Sequence, residues 1–231
     1  MDEPSRQRVP WTMRDIVCAI LATLALLLLI IGLYAWFLFW EILPKPSGLG
    51  LLVLMTAAET LMLVTAWWWG PRRYGGGWHL LGLRGFAVGR GVVTSILAFG
   101  LLILINLVWS IVETELGLPG QPELVPLFGN GWQALLFALL VVGVVAPLVE
   151  ELFFRGYLYA GLRQRFGRRR GMLLSAGIFA IAHVLPGTWM PIFLMGWVLA
   201  YVYERTDSLW PAIVIHGLMN TMALALSYVA T

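Results

Sequence analysis

The sequence predicts an all-α fold, a polytopic membrane bundle of about seven transmembrane helices, and three observations carry that prediction. Hydrophobic residues make up 60% of the 231 residues and charged ones only 12%, with a mean hydropathy of +0.85, whereas soluble domains are about 45–50% apolar and about 25% charged. Seven apolar runs stand at 15–40, 47–69, 88–112, 131–159, 172–185, 189–203 and 209–229, against the roughly 20 residues that a helical span needs. Basic residues gather in alternate connections between these runs. Together the runs use up the length, so one membrane domain over 1–231 is expected, with the chemistry-bearing helices in 131–225.

The first run follows Arg6, Arg8 and Arg14. It is too long for the apolar region of a signal peptide and has no small-residue cleavage site after Trp36 to Trp40, so a retained span is expected. Cys18 inside it is a lone cysteine, without a disulfide partner or metal-ligand spacing, and reads as a small apolar residue. The second run contains Glu59 and ends in Trp67-Trp68-Trp69; these rings, like Trp210 later, suit the headgroup level. Turn-forming Pro and Gly separate the runs at 44–48, 70–77 and 117–122.

Arg72, Arg73, Arg84 and Arg90 precede or open the third run, and Glu113, Glu115 and Glu123 are expected in the loop after it. Arg163, Arg165, Arg168, Arg169 and Arg170 follow the fourth run and Arg205 the sixth, while the other connections hold Lys45 and otherwise no Lys or Arg. By the positive-inside rule the N-terminus is cytoplasmic and the C-terminus outside. The expected location is multi-pass in a prokaryotic plasma membrane. The cluster at 163–170 reads as a topology signal that meets lipid headgroups, not as a nucleic-acid site. The fifth and sixth runs are short, so six or eight spans would also fit the pattern.

The fourth run holds Glu150, Glu151 and Arg155 where hydrocarbon is expected. An ionised side chain at bilayer centre costs at least about 2.5–3.5 kcal/mol on insertion scales, so such residues point to a site. On a helix Glu151 reaches Arg155 at i+4, whereas Glu150 points about 100° away. The expectation is a buried ion pair, Glu151–Arg155, beside a carboxylate without a local counter-ion, Glu150, suited to act as general base. His183 in the fifth run follows Phe179 by one turn. His216 and Asn220 share a face of the seventh. At about 1.5 Å rise per residue, Glu150, His183 and His216 lie roughly 12–18 Å from the cytoplasmic boundary, so a convergent site is geometrically allowed. Glu59 falls about 15 Å inside the same boundary and either lines that site or bonds a neighbouring helix, the second being the simpler expectation.

Two chemistries use one carboxylate and two histidines. In the first, Glu150 takes a proton from water that attacks a peptide carbonyl, His183 orients that water, and His216 with Asn220 stabilises the oxyanion, with no cofactor. In the second, Glu150, His183 and His216 are zinc ligands and the metal activates the water. The His-Glu-x-x-His pattern is absent, and Asn220 suits the metal-free role better. A non-catalytic proton-coupled transporter is the rival from another class, though the helix-breaking pairs at matched positions that would favour it are not found. A catalytically silent scaffold or immunity factor is a third reading, disfavoured by the intact motif set.

In these residues the chain resembles the CPBP (CAAX protease and bacteriocin-processing, or Abi) family of intramembrane endopeptidases, which includes the Rce1-like prenyl-protein proteases. Its motifs Glu-Glu-x-x-x-Arg, Phe-x-x-x-His and His-x-x-x-Asn are matched in order by Glu150/Glu151/Arg155, Phe179/His183 and His216/Asn220. The stretches 208–213 and 81–84 are also similar to the family, and the resemblance covers roughly 79–225. It implies a glutamate-dependent protease with Glu150 as base, His183 as water-positioning partner, His216 and Asn220 as oxyanion stabilisers, and Glu151, Arg155 and Phe179 in support. It also implies a protein or peptide substrate, lipidated or membrane-associated, and it brings the zinc alternative with it.

Overall fold

The computed structural model describes residues 8–40, 48–118, 128, 131–183 and 186–229. The expected turns at 44–47 and 119–122, with Arg6, Lys45 and Glu123, lie outside the described residues, as does the end of the fifth run. Among the described residues there are seven long helices and no strand. They are α1 (Met13–Phe39), α2 (Gly48–Trp69), α3 (Val88–Leu116), α4 (Trp132–Phe166), α5 (Arg168–Ala182), α6 (Trp189–Thr206) and α7 (Trp210–Val229). Short 3-10 turns, Pro71–Tyr74 and Trp78–Leu81, join α2 to α3. Four helices among the described residues, α1, α3, α4 and α7, are long and apolar enough to cross a membrane. The chain is an integral membrane protein.

Three boundaries differ from expectation. Glu113 and Glu115 belong to the last turns of α3, where the Trp109 indole donates to Glu113 Oε1 at 2.6 Å; an aromatic partner one turn back lets the helix continue past its apolar run. The arginine cluster forms no loop either. Only Gly167, at φ 78°, separates α4 from α5, a backbone angle that glycine adopts without Cβ strain. Arg163 and Arg165 therefore end one helix, and Arg168, Arg169 and Arg170 begin the next. Arg205 likewise lies inside α6.

α4 is the core element. All eight residues of its Leu152–Tyr159 stretch are buried, because other segments cover every side of it. The N-terminal segment does so through Trp11, whose indole donates to Tyr157 O at 3.0 Å and packs on the Tyr157 ring at 5.2 Å. The next residue, Thr12, opens α1 with a reciprocal cap shared with Asp15, satisfying otherwise orphaned N–H groups. The Asp15 carboxylate also accepts Tyr74's hydroxyl at 2.6 Å, which holds that phenol above its usual value. On another side Gly156 lies so close to the Leu81 carbonyl that no Cβ fits between them. From there residues 82–84 clamp the turn between α6 and α7: Leu209 N donates to Gly82 O at 2.9 Å, Ser208 Oγ to Arg84 O at 2.6 Å, and Arg84 Nη2 meets Asp207 Oδ1 at 3.0 Å.

α7 rests on α4 backbone to backbone. A Cβ on Gly217 would stand 2.5 Å from Gly143 O, and one on Gly143 would stand 2.6 Å from Thr221 Oγ1. Gly217→Ala must push α7 off α4, and overpacking of this kind costs about 1–3 kcal/mol. A thermal or denaturant melt of the purified variant measures the loss, and wild-type stability would show that the contact yields.

Candidate active site

The site is built where α4 leaves the ordinary α-helical register. Residues Val141–Val145 and Leu152–Tyr159 are wound as π-helix, in which a carbonyl pairs with the N–H five residues on. In that register Val142 O would need an N–H from residue 147, but Pro147 has none. Asn220 supplies it instead, donating from Nδ2 to Val142 O at 3.0 Å. The carbonyl that Pro147 leaves unanswered thus accepts from an asparagine of α7, one turn from His216.

Between the two π stretches stand Glu150 and Glu151. Glu151 is fully buried, and its Oε1 accepts from Arg155 Nη1 at 2.7 Å and from His216 Nδ1 at 2.9 Å. A carboxylate only accepts, so Nδ1 carries the hydrogen and an N–H at Nε2 exists only in the imidazolium. That Nε2 lies 3.6 Å from Glu150 Oε2. The expected split into an isolated structural pair and a lone carboxylate is therefore incomplete. The i,i+4 pair is present, but one histidine from α7 touches both glutamates. The 100° between neighbours that separates Glu150 from Glu151 on α4 leaves them flanking a single ring that enters from the side.

Phe179 of α5 holds this cluster from below. The Arg155 guanidinium lies over its face at 4.2 Å, and the rings of His183 and His216 approach it nearly edge-on at 4.7 and 5.9 Å. Such placement offsets part of the cost of burying a guanidinium. Gly196 of α6 permits it, because a Cβ there would meet Phe179 at 3.0 Å and Arg155 Nη2 at 3.2 Å.

His183 is not inside a span but immediately after α5, which ends at Ala182. Its 15 residues reach about 22 Å, less than the roughly 30 Å of a hydrocarbon core, so by length alone the helix does not cross one. His183 Nδ1 donates to Phe179 O at 2.8 Å. A carbonyl cannot donate, so in the neutral ring Nε2 keeps its lone pair. His183 is linked to His216 through the shared Phe179 ring, without a direct hydrogen bond to it or to Glu150 among those described.

Of the two expectations for Glu59, lining the site is the one its surroundings favour: its carboxyl lies beside that of Glu150, where α2 packs against α4. Depth along α2 was the only signal in the sequence that could have found this residue.

The zinc alternative needs Glu150, His183 and His216 to close on one point. Among the described residues no three His, Cys, Asp or Glu side chains are grouped to hold a metal ion, although the Nδ1–H of His216 on Glu151 is an arrangement that leaves Nε2 open as a ligand.

Residues 130–222 match the model of the Rce1-like family, described as type II CAAX prenyl endopeptidases. The resemblance read from the three motifs is thus shown over the stretch that carries them. Over 92 residues, 40% of this chain, the sequence is 30% identical to YdiL of Bacillus subtilis (strain 168), whose name describes a membrane peptidase, covering 38% of that protein. Over 82 residues, 35% of this chain, it is 24% identical to the UPF0177 protein YxdF of Lactococcus lactis subsp. lactis (strain IL1403), covering 44% of it. The chain therefore spans about two fifths of the length of these curated relatives. No solved structure matches it.

Proposed function

We propose that this protein is an intramembrane endopeptidase that hydrolyses a peptide bond of a membrane-associated or lipidated, CAAX-like protein, with Glu150 as general base and no metal. The supporting observation is the meeting of α4 and α7 at the site, where Glu150 and Glu151 flank His216 at 3.6 and 2.9 Å within a stretch that matches a peptidase family. Glu150 keeps 13% of its side chain exposed while Glu151 keeps none, which favours Glu150 of the two as the base.

In this reading Glu150 takes one proton from water while the other hydrogen stays on the oxygen and is oriented by a hydrogen bond to His183 Nε2, and the resulting hydroxide adds to the peptide carbonyl carbon. The oxyanion that forms receives hydrogen bonds from His216 Nε2–H, in the imidazolium form, and from the second Nδ2 hydrogen of Asn220. Collapse of the intermediate breaks the C–N bond, and Glu150 returns its proton to the leaving nitrogen. Arg155 and Phe179 hold Glu151 and the two histidines in place. These helices form the 131–225 portion of one membrane domain, with the N-terminus cytoplasmic and the site opening toward that face.

Membrane-fraction proteomics from cells carrying the wild type or Glu150→Gln tests the activity. Uncut proteins should accumulate in the variant, and identical proteomes would overturn the reading. The metal-free form is tested by exhaustive chelation; loss of cleavage restored by zinc would overturn it. Glu59 gives a finer prediction. Glu59→Gln still offers a hydrogen to Glu150, so cleavage should stay near wild type, whereas Glu59→Leu should lower it about tenfold, the order of one hydrogen bond to a charged group. Equal rates for the two variants would show that the contact plays no part.

A further inference from the structure

A cavity stands away from the glutamates. It has a volume of about 600 Å³ and is formed by α3, α5 and α6, with Val93, Leu97, Leu101, Met172, Trp197 and Tyr201 among its walls. This lies within the roughly 300–1,000 Å³ usual for ligand sites. None of the residues of the candidate active site lines it. α6 separates the two, since Gly196 packs on Phe179 and Arg155 while Trp197 and Tyr201 face the cavity. Its walls open to the bilayer, with Leu97 69% and Val93 58% exposed.

Charge is distributed along it in one direction. Arg90 and Arg205 are the charged residues of the lining, and no carboxylate belongs to it. Arg90 is the third residue of α3 and Arg205 the last but one of α6. The Arg84–Asp207 pair at 3.0 Å ties the start of α3 to the end of α6, so both guanidinium groups stand at the same end. Both are exposed, and neither pairs with a carboxylate among the described residues. The nearby Arg168 differs in that it is held by Glu204 at 3.4 Å.

We infer that this cavity binds one anionic phospholipid, its phosphate between Arg90 and Arg205 and an acyl chain along the α3–α6 walls. Basic pockets between membrane helices at the cytoplasmic side recognise such headgroups, and each basic residue near the surface contributes comparably to that attraction. The uncharged remainder of the lining is mostly apolar, with Thr94, Trp197 and Tyr201 the residues that carry a polar group, and suits a hydrocarbon chain. Trp197 and Tyr201 bring aromatic rings to the same wall.

Native mass spectrometry of the delipidated full chain tests this, with phosphatidylglycerol and phosphatidylcholine of identical acyl chains as probes. One phosphatidylglycerol should be retained at a concentration about tenfold below that needed for phosphatidylcholine. Arg90→Gln/Arg205→Gln should abolish the preference, and Arg72→Gln, at an arginine away from the cavity, should leave it intact. Thr94→Trp, which fills the cavity and keeps both arginines, should weaken retention of both lipids. Equal retention of the two lipids by the wild type, or an unchanged preference in the double variant, would overturn the inference. So would displacement of the lipid by sn-glycerol 3-phosphate at equal concentration, which would leave an anion site alone.

Discussion

Glu150→Gln is expected to lower peptide cleavage by at least about a hundredfold, the lower end of what a positioned general base contributes, with a melting temperature close to wild type. The substitution keeps the shape of the side chain and removes its ability to take a proton. It should also keep the fold, because the carboxyl of Glu150 meets Glu59 and His216 and an amide can hydrogen-bond to both. Single-turnover cleavage of a substrate found by membrane proteomics, measured beside a thermal melt, separates the two effects. Wild-type cleavage by this variant would remove Glu150 from the mechanism. Glu151→Gln gives the contrast: it leaves Arg155 without its ion-pair partner in a buried position, so stability and activity should fall together.

Arg155→Met should destabilise the protein by about 3–5 kcal/mol, the usual consequence of removing one partner of a buried pair. Arg155 is fully buried, its Nη1 is 2.7 Å from Glu151 Oε1, and its guanidinium lies over Phe179. Without it Glu151 retains only the His216 hydrogen bond in an apolar surround. Denaturant unfolding in detergent reads the loss, and a change within about 0.5 kcal/mol, as at an ordinary surface position, would show that the pair is not structural. The double variant Glu151→Leu/Arg155→Met should be more stable than Arg155→Met alone, because no unpaired charge remains. It should nevertheless stay inactive, since His216 Nδ1 then has no partner to orient the ring.

The helices and the local pair were legible in the sequence because both follow from geometry within one helix. Seven apolar runs became seven long helices, and the i,i+4 spacing of Glu151 and Arg155 became the shortest polar contact of the site. The helical state of Arg163 to Arg170 is not legible in the sequence, since a one-residue break at a positive-φ glycine leaves little compositional trace. His183 was placed inside a span for a similar reason. Its surroundings are apolar, and only the short reach of α5 puts it at a helix end.

Which residues the chain would hold at depth was therefore determined by the sequence alone: Glu59, Glu150, Glu151, Arg155, His183, His216 and Asn220 each stand out against hydrocarbon, whatever the fold. Their assembly was decided by the tertiary structure. That His216 touches both glutamates, that Glu59 meets Glu150, and that Asn220 answers the carbonyl left by Pro147 all depend on how far one helix is rotated against the next. Periodicity sets the face of a helix and rise per residue sets its depth, but rotation and approach between helices come from packing. Here they are set by the Gly143–Gly217 contact, the π-helical stretches of α4 and the space left at Gly196.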